Sequence, residues 1–123
     1  MNIVTSRLSL SATQIADGVE YEIYKDSLKV GNCSYHILPH VSYACRKLKM
    51  DNIGAFISYD IIETERGQGI APEAVEAMMD TINQPVKTVV IRKHNKSSIR
   101  VAEKLGCDFV KQIDGLIVYQ RID

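Results

Sequence analysis

The chain has 123 residues, enough for one domain, 1–123, and too few for two. Lysine plus arginine and aspartate plus glutamate number 15 each, so the basic excess of a dedicated nucleic-acid binder is missing. An apolar share of 46% and a charged share of 24% are ordinary for a globular domain, which at this size buries about two-thirds of its unfolded surface without disulfide or metal.

Cys33, Cys45 and Cys107 are odd in number, and no pair has metal-ligand spacing. They read as buried or free thiols in a reducing compartment. "MNIVTSRLSL" has no charged start followed by an apolar stretch and a cleavage site. No apolar run is long enough to cross a membrane. The expectation is a soluble cytoplasmic protein that binds neither membrane nor nucleic acid.

Residues 7–10 alternate and read as a short strand. "YEIYKD", 21–26, alternates too, Ser27 offers a turn, and the β-rich run 28–37 completes a hairpin that Pro39 ends. Residues 41–45 read as a further strand or part of a long connection, and the polar stretch 46–52 as loop. The nearly continuous apolar run 53–62 suits a strand covered on both faces.

Ile70, Ala74, Val75, Ala77, Met78, Met79 and Ile82 recur at helical spacing, with Pro72 in the first turn and Pro85 closing the helix. The Met78–Met79 pair belongs to its packing. Residues 86–92 form a second buried-strand pattern. Strand, helix, strand implies a parallel pair. "NKSSIRVAEKLG" reads as a helix capped by Asn95 or Ser97 and stopped by Gly106. Two last strands, 108–113 and 116–122, flank the hairpin signal Asp114-Gly115. The fold class is α+β: one mixed, twisted sheet with a central βαβ unit and a C-terminal hairpin.

"ETERGQGIAPEAVEAM", 63–78, places Gly67 and Gly69 where a helix begins, although glycine costs roughly 1 kcal/mol against alanine in a helix. A first helical turn has free N–H groups and a partial positive charge, and glycines let an anion approach the backbone. Residues 66–71 could therefore cradle a phosphate, with Arg66 adding a cation. A plain tight turn is the alternative. A P-loop needs Lys-Ser/Thr after the second glycine, where Ile70 and Ala71 stand, and a dinucleotide fingerprint needs glycine at Pro72.

"SYDIIETERGQGIAPEAVEAM" resembles motif A of the GNAT acetyltransferases, with Arg66, Gly69 and Ala71 in its three defining places. "RKHNKSSIRVAEKLGCDFV" resembles motif B, particularly in the ribosomal-protein N-terminal acetyltransferase branch: Asn95, Ser98, Lys104, Leu105 and Gly106 match, and Cys107 replaces the usual phenylalanine. "TSRLSL" resembles the start of that branch.

The resemblance implies a GNAT acyl-CoA N-acyltransferase fold with acetyl-CoA as co-substrate and no metal. The acceptor would be a primary amine, on a protein N-terminus or a small molecule. Backbone groups of Arg66, Gly67, Gln68, Gly69, Ile70 and Ala71 would hold the pyrophosphate. Ile61 and Ile62 would pair with the pantetheine arm where two parallel strands splay, and Asn95 would contact it or shape the gap. The family's usual glutamate places fall near Phe56 and Val90, and its helix tyrosine at Ala102. In the ribosomal-protein branch a serine takes the acid role instead, and Ser98 matches it, so the resemblance implies Ser98 as the catalytic candidate; the alternative is only a helix-cap residue.

His94, an imidazole beside Asn95 at the end of the second central strand, could transfer a proton, or is a loop histidine. Tyr59 and Asp60 also fall near the gap. His36 and His40 read as surface or core residues, Glu63 and Glu65 as solvated charges. Between residues 10 and 21 one turn fits, not the family's usual two helices. The acceptor side would be open, built by the segment 38–52, or built by a second copy in a homodimer. A non-catalytic CoA-binding or dimeric interaction domain is the alternative to an enzyme.

Overall fold

Two-residue turns with left-handed backbone set the first half of the chain. A computed structural model describes residues 1–37 and 43–123. Strands β1 (Ile3–Val4), β2 (Leu8–Ile15), β3 (Gly18–Lys25) and β4 (Leu28–Ile37) form an antiparallel meander. Between β3 and β4, Asp26 and Ser27 have φ of 51° and 66°, the turn whose twist matches a hairpin. The segment 11–20 holds one tight turn and no helix, as expected; it is the β2–β3 hairpin, and β2 runs on to Ile15.

Helix α1 (Tyr43–Leu48) precedes strand β5 (Ala55–Ile61), which pairs antiparallel with β4. Residues 46–48 are therefore helix where loop was expected, and 43–45 are neither strand nor loop; Val41, Ser42, Pro39 and His40 lie outside the described residues. Buried Cys45 and Leu48, three apart, are the anchors of α1. Lys111 closes its C-terminal end by donating to the carbonyls of Leu48 and Lys49 at 2.8 and 3.1 Å.

Helix α2 (Ile70–Met79) then leads to β6 (Val86–Arg92), parallel to β5, confirming the βαβ unit. Helix α2 stops six residues before Pro85, so Ile82 lies beyond it. Helix α3 (Lys96–Lys104) is followed by Gly106 at φ 80°, the expected stop. Strands β7 (Asp108–Ile113) and β8 (Leu116–Ile122) form the expected hairpin about Asp114-Gly115. Among the described residues the sheet order is β1-β2-β3-β4-β5-β6-β8-β7.

One sheet face carries Leu10, Ile23, Ile57 and Val89 under α2, whose Ala74, Val75 and Met78 are fully buried. On the other face Val118 and Ile53 pack with Cys45 and Leu48 of α1, and Phe56 and Val90 lean on them. Strand β5 is covered on both faces only at its start, where Phe56 leans on the α1 cluster; beyond it Ile57 and Ile61 are buried on one face while Ser58 and Asp60 are exposed on the other.

The parallel pair is short. β5 and β6 are in register only at Ala55–Lys87, Phe56–Thr88 and Ile57–Val89. β5 stays with β4 to Ile61, while β6 stays with β8 to Arg92. The two central strands thus part company after Ile57 and Val89, and the opening faces the start of α2.

Candidate active site

The opened strands, the turn before α2 and the first turns of α3 enclose a cleft of about 230 Å³. Its walls include Tyr59 and Ile61 of β5, Gly67, Gly69 and Ala71, and Asn95, Ser98, Arg100 and Lys104. The two segments singled out in the sequence therefore face each other.

Gly67 and Gly69 have φ of 81° and 75°, where side chains strain the backbone. A Cβ on Gly67 would meet no atom within 4 Å, and one on Gly69 only the Arg7 guanidinium at 3.5 Å. The left-handed backbone is what demands glycine here; the space above it is open to a ligand. Among the described residues, nothing accepts a hydrogen bond from the N–H groups of residues 67–71. These donors at a ten-residue helix's N-terminus fit an anion.

Two side chains fix the turn. Arg66 Nε donates to the Ile61 carbonyl at 2.8 Å, and its guanidinium lies 3.5 Å from Asp60. Arg66 is thus folded back on the end of β5. Lys25 of β3 donates to Gln68 Oε1 at 2.6 Å and lies 3.7 Å from Glu65. Gln68 sits on the outside of the turn, and Ile62 donates its N–H to Val30 on β4 at 2.9 Å. Neither side chain lines the cleft.

Asn95, rather than Ser97, caps α3: its Oδ1 accepts from the Ser98 N–H at 3.2 Å and from Ser97 Oγ at 3.1 Å. Ser98 Oγ is thereby free to turn elsewhere, and it donates to the Tyr59 hydroxyl at 3.1 Å. The Tyr59 hydroxyl donates to the Ser98 carbonyl at 2.9 Å. Burial pushes the Tyr59 phenol up to about 12, against the lowering effect of the Ser98 bond.

His94 is exposed and off the cleft wall, and His36 sits half-buried on β4 opposite Phe56. Glu65 reaches the wall, whereas Glu63 does not. Ala102 is fully buried in the core. Sequence reasoning missed Arg100 and Lys104, although their spacing of four on a helix places them on one face. It also missed the Tyr59–Ser98 contact. Alternation along β5 puts Tyr59 on the same face as Ile57 and Ile61 but does not name its partner.

A model of the acetyltransferase (GNAT) domain family matches residues 3–108. The chain belongs to that family. Its fold is the mixed α+β fold of GNAT acetyltransferases, and by membership it is an N-acetyltransferase domain. An acetyltransferase from Agrobacterium tumefaciens str. C58 superposes on this GNAT domain with a TM-score of 0.77 at 16% identity, covering 100% of this chain and 95% of that one.

The microcin C7 self-immunity acetyltransferase MccE, in complex with acetyl-CoA and AMP, gives 0.67 at 17% identity, with 87% of this chain covered and 62% of that one. RimL, a ribosomal L7/L12 alpha-N-protein acetyltransferase in complex with coenzyme A, gives 0.66 at 20% identity, with 85% and 62% covered. The GNAT domain here thus spans less than two-thirds of those two chains. No curated protein sequence matches it.

Proposed function

We propose that this domain transfers an acetyl group from acetyl-CoA to a primary amine, on a protein N-terminus or a small molecule. The observation that carries the reading is the row of unaccepted N–H groups at residues 67–71, at the mouth of the opened strands. Acetyl-CoA would supply an acyl group activated as a thioester. The backbone of residues 67–71 would hold its pyrophosphate, with Arg66 fixing the turn and Arg100 and Lys104 adding positive charge. Ile61 and Asn95, on the cleft wall, would border the pantetheine arm, whereas Ile62 turns away toward β4.

Ser98 stands on the cleft wall and would help, directly or through a neighbouring hydroxyl, to handle charge at the leaving sulfur. The amine must arrive neutral. Phe56 and Val90 offer it no carboxylate, being packed toward α1, and the carboxylates on the wall, Asp60 and Glu65, are paired with Arg66 and Lys25, so deprotonation would fall to water. Positioning then supplies much of the rate. On the outer face of β2 to β5, α1 packs against Phe56 at the start of β5, and the acceptor would enter over the rest of that face, completed by the segment 38–52 or by a second copy. Three buried thiols agree with a cytoplasmic setting.

The apolar packing of Phe56 and Val90 also favours a second reading, a domain that binds CoA without turnover. Acetylation of any amine in a panel of peptides and small amines would remove it.

The direct test is thermal. Acetyl-CoA at 100 times its dissociation constant should stabilise the fold by about 2.7 kcal/mol. Gly69→Asn and Gly69→Asp share a residue shape that tolerates the left-handed backbone, so they isolate charge. Asn should keep part of the shift in Tm and Asp should lose it. Equal shifts in the two variants would show that no phosphate meets Gly69, and no shift in the wild type would overturn the proposal.

A further inference from the structure

The Tyr59 hydroxyl stands in an unusual place. It comes from β5, two residues past the last β5–β6 pair at Ile57–Val89, and reaches across the opening to the first turn of α3. There it meets both the hydroxyl and the carbonyl of Ser98, at 3.1 and 2.9 Å. Inside a helix, a carbonyl at this position is also the acceptor for the N–H four residues on. The phenolic hydrogen can therefore leave the Ser98 carbonyl without stranding it. Ser98 Oγ meanwhile donates to the phenolic oxygen, which makes the phenol a stronger donor toward a third partner in the cleft.

Resting on the acetyl-transfer reading above, we infer that Tyr59 is the hydrogen-bond donor to the leaving sulfur, with Ser98 as the positioning residue behind it. In the step, the amine nitrogen bonds to the thioester carbon and the carbon–sulfur bond breaks. The sulfur leaves with the electron pair as thiolate, and the proton of the new amide nitrogen passes to water. The chain runs from Ser98 Oγ–H to the Tyr59 oxygen and from Tyr59 O–H to the sulfur. Tyr59 donates a hydrogen bond and keeps its proton. Burial holds its phenol near 12, against an ordinary thiol near ~8.5, so full transfer to a thiolate is uphill by roughly three units. The same burial keeps the donor protonated throughout the neutral range.

The test needs no acceptor. Binding of CoA is read first, by the rise in Tm. The thiol of bound CoA is then titrated by its thiolate absorbance in wild type, Tyr59→Phe and Ser98→Ala. A hydrogen bond that stabilises the thiolate lowers the midpoint. Tyr59→Phe should raise it by about one pH unit, leaving about tenfold less thiolate at a given pH. Ser98→Ala, which keeps the phenol but removes its support, should raise it by less.

If Tyr59→Phe weakens CoA binding and leaves the midpoint where it was, Tyr59 only braces α3 and the inference falls, while the acetyl-CoA site stands. If the wild type binds no CoA, the site itself falls and the inference goes with it. Should Tyr59→Phe fail to fold, Ser98→Ala decides alone: an unchanged midpoint overturns the chain of donors.

Discussion

Thr88 shows how much one hydroxyl can organise in an apolar strand. It is fully buried in β6, donates to the Ile53 carbonyl at 2.6 Å and accepts from Gln120 at 3.0 Å. Gln120 in turn donates to the Asn52 carbonyl at 3.0 Å, so one side chain ties the entry of β5 to β6 and β8. Thr88→Val keeps the shape and removes the donor, stranding a buried carbonyl. It should lower unfolding stability by about 1–2 kcal/mol, read as a shifted urea midpoint with an unchanged slope. In the sequence, Thr88 was one polar letter in "VKTVVIR" and gave no hint of its partners. Residue identity showed best where backbone geometry restricts the choice. Gly67, Gly69 and the Asp114-Gly115 pair were legible because few residues accept left-handed φ. The Tyr59–Ser98 contact, 39 residues apart, depends on how β5 and α3 come together, and no local pattern states that.

The elements were legible when their period ran for two turns or more, or when a turn announced them. Helix α1 failed on both counts: it has six residues and two buried anchors, and its C-terminal partner, Lys111, lies 63 residues away from Leu48. A second long-range tie holds the start of α2. Glu73 accepts from the Arg7 Nε at 2.8 Å, from the Arg7 N–H at 3.2 Å and from the Thr5 hydroxyl. The segment before β2 is thereby latched to the helix that opens the cleft. Partial burial opposes the charge on Glu73, but the bonds from Thr5 and Arg7 outweigh it and hold its carboxyl below the ordinary range. A lowered folded pKa means that the stabilisation is present above the unfolded value of about 4.3 and lost as pH falls through the folded value. Glu73→Gln should therefore cost about 1 kcal/mol at pH 7. The Tm gap between variant and wild type should narrow as pH falls below about 4, where the wild-type carboxyl also becomes neutral. A gap that stays constant to pH 3 would show that the latch works without charge.

At the scale of the whole molecule, the sheet is nearly two sheets. β1 to β4 lie on one side of the β5–β6 joint and β8 and β7 on the other, and only three register pairs cross it. The opening that makes the cleft is the same feature that thins this joint. What keeps the halves together is the face beneath α2, where one buried cluster includes Leu10 and Ile23 from one half and Val89 and Tyr119 from the other. Ile57, 1% exposed, sits at the last paired position and belongs to that cluster. If the shared core outweighs the thin joint, the chain unfolds as one unit: far-UV and near-UV circular dichroism should trace coincident urea transitions. Ile57→Ala should then lower stability by about 2–4 kcal/mol and keep the transition single, since the cavity is felt by both halves at once. Two separated transitions, with only one of them moved by the substitution, would instead show that the halves fold apart and that the cleft is a seam between two units.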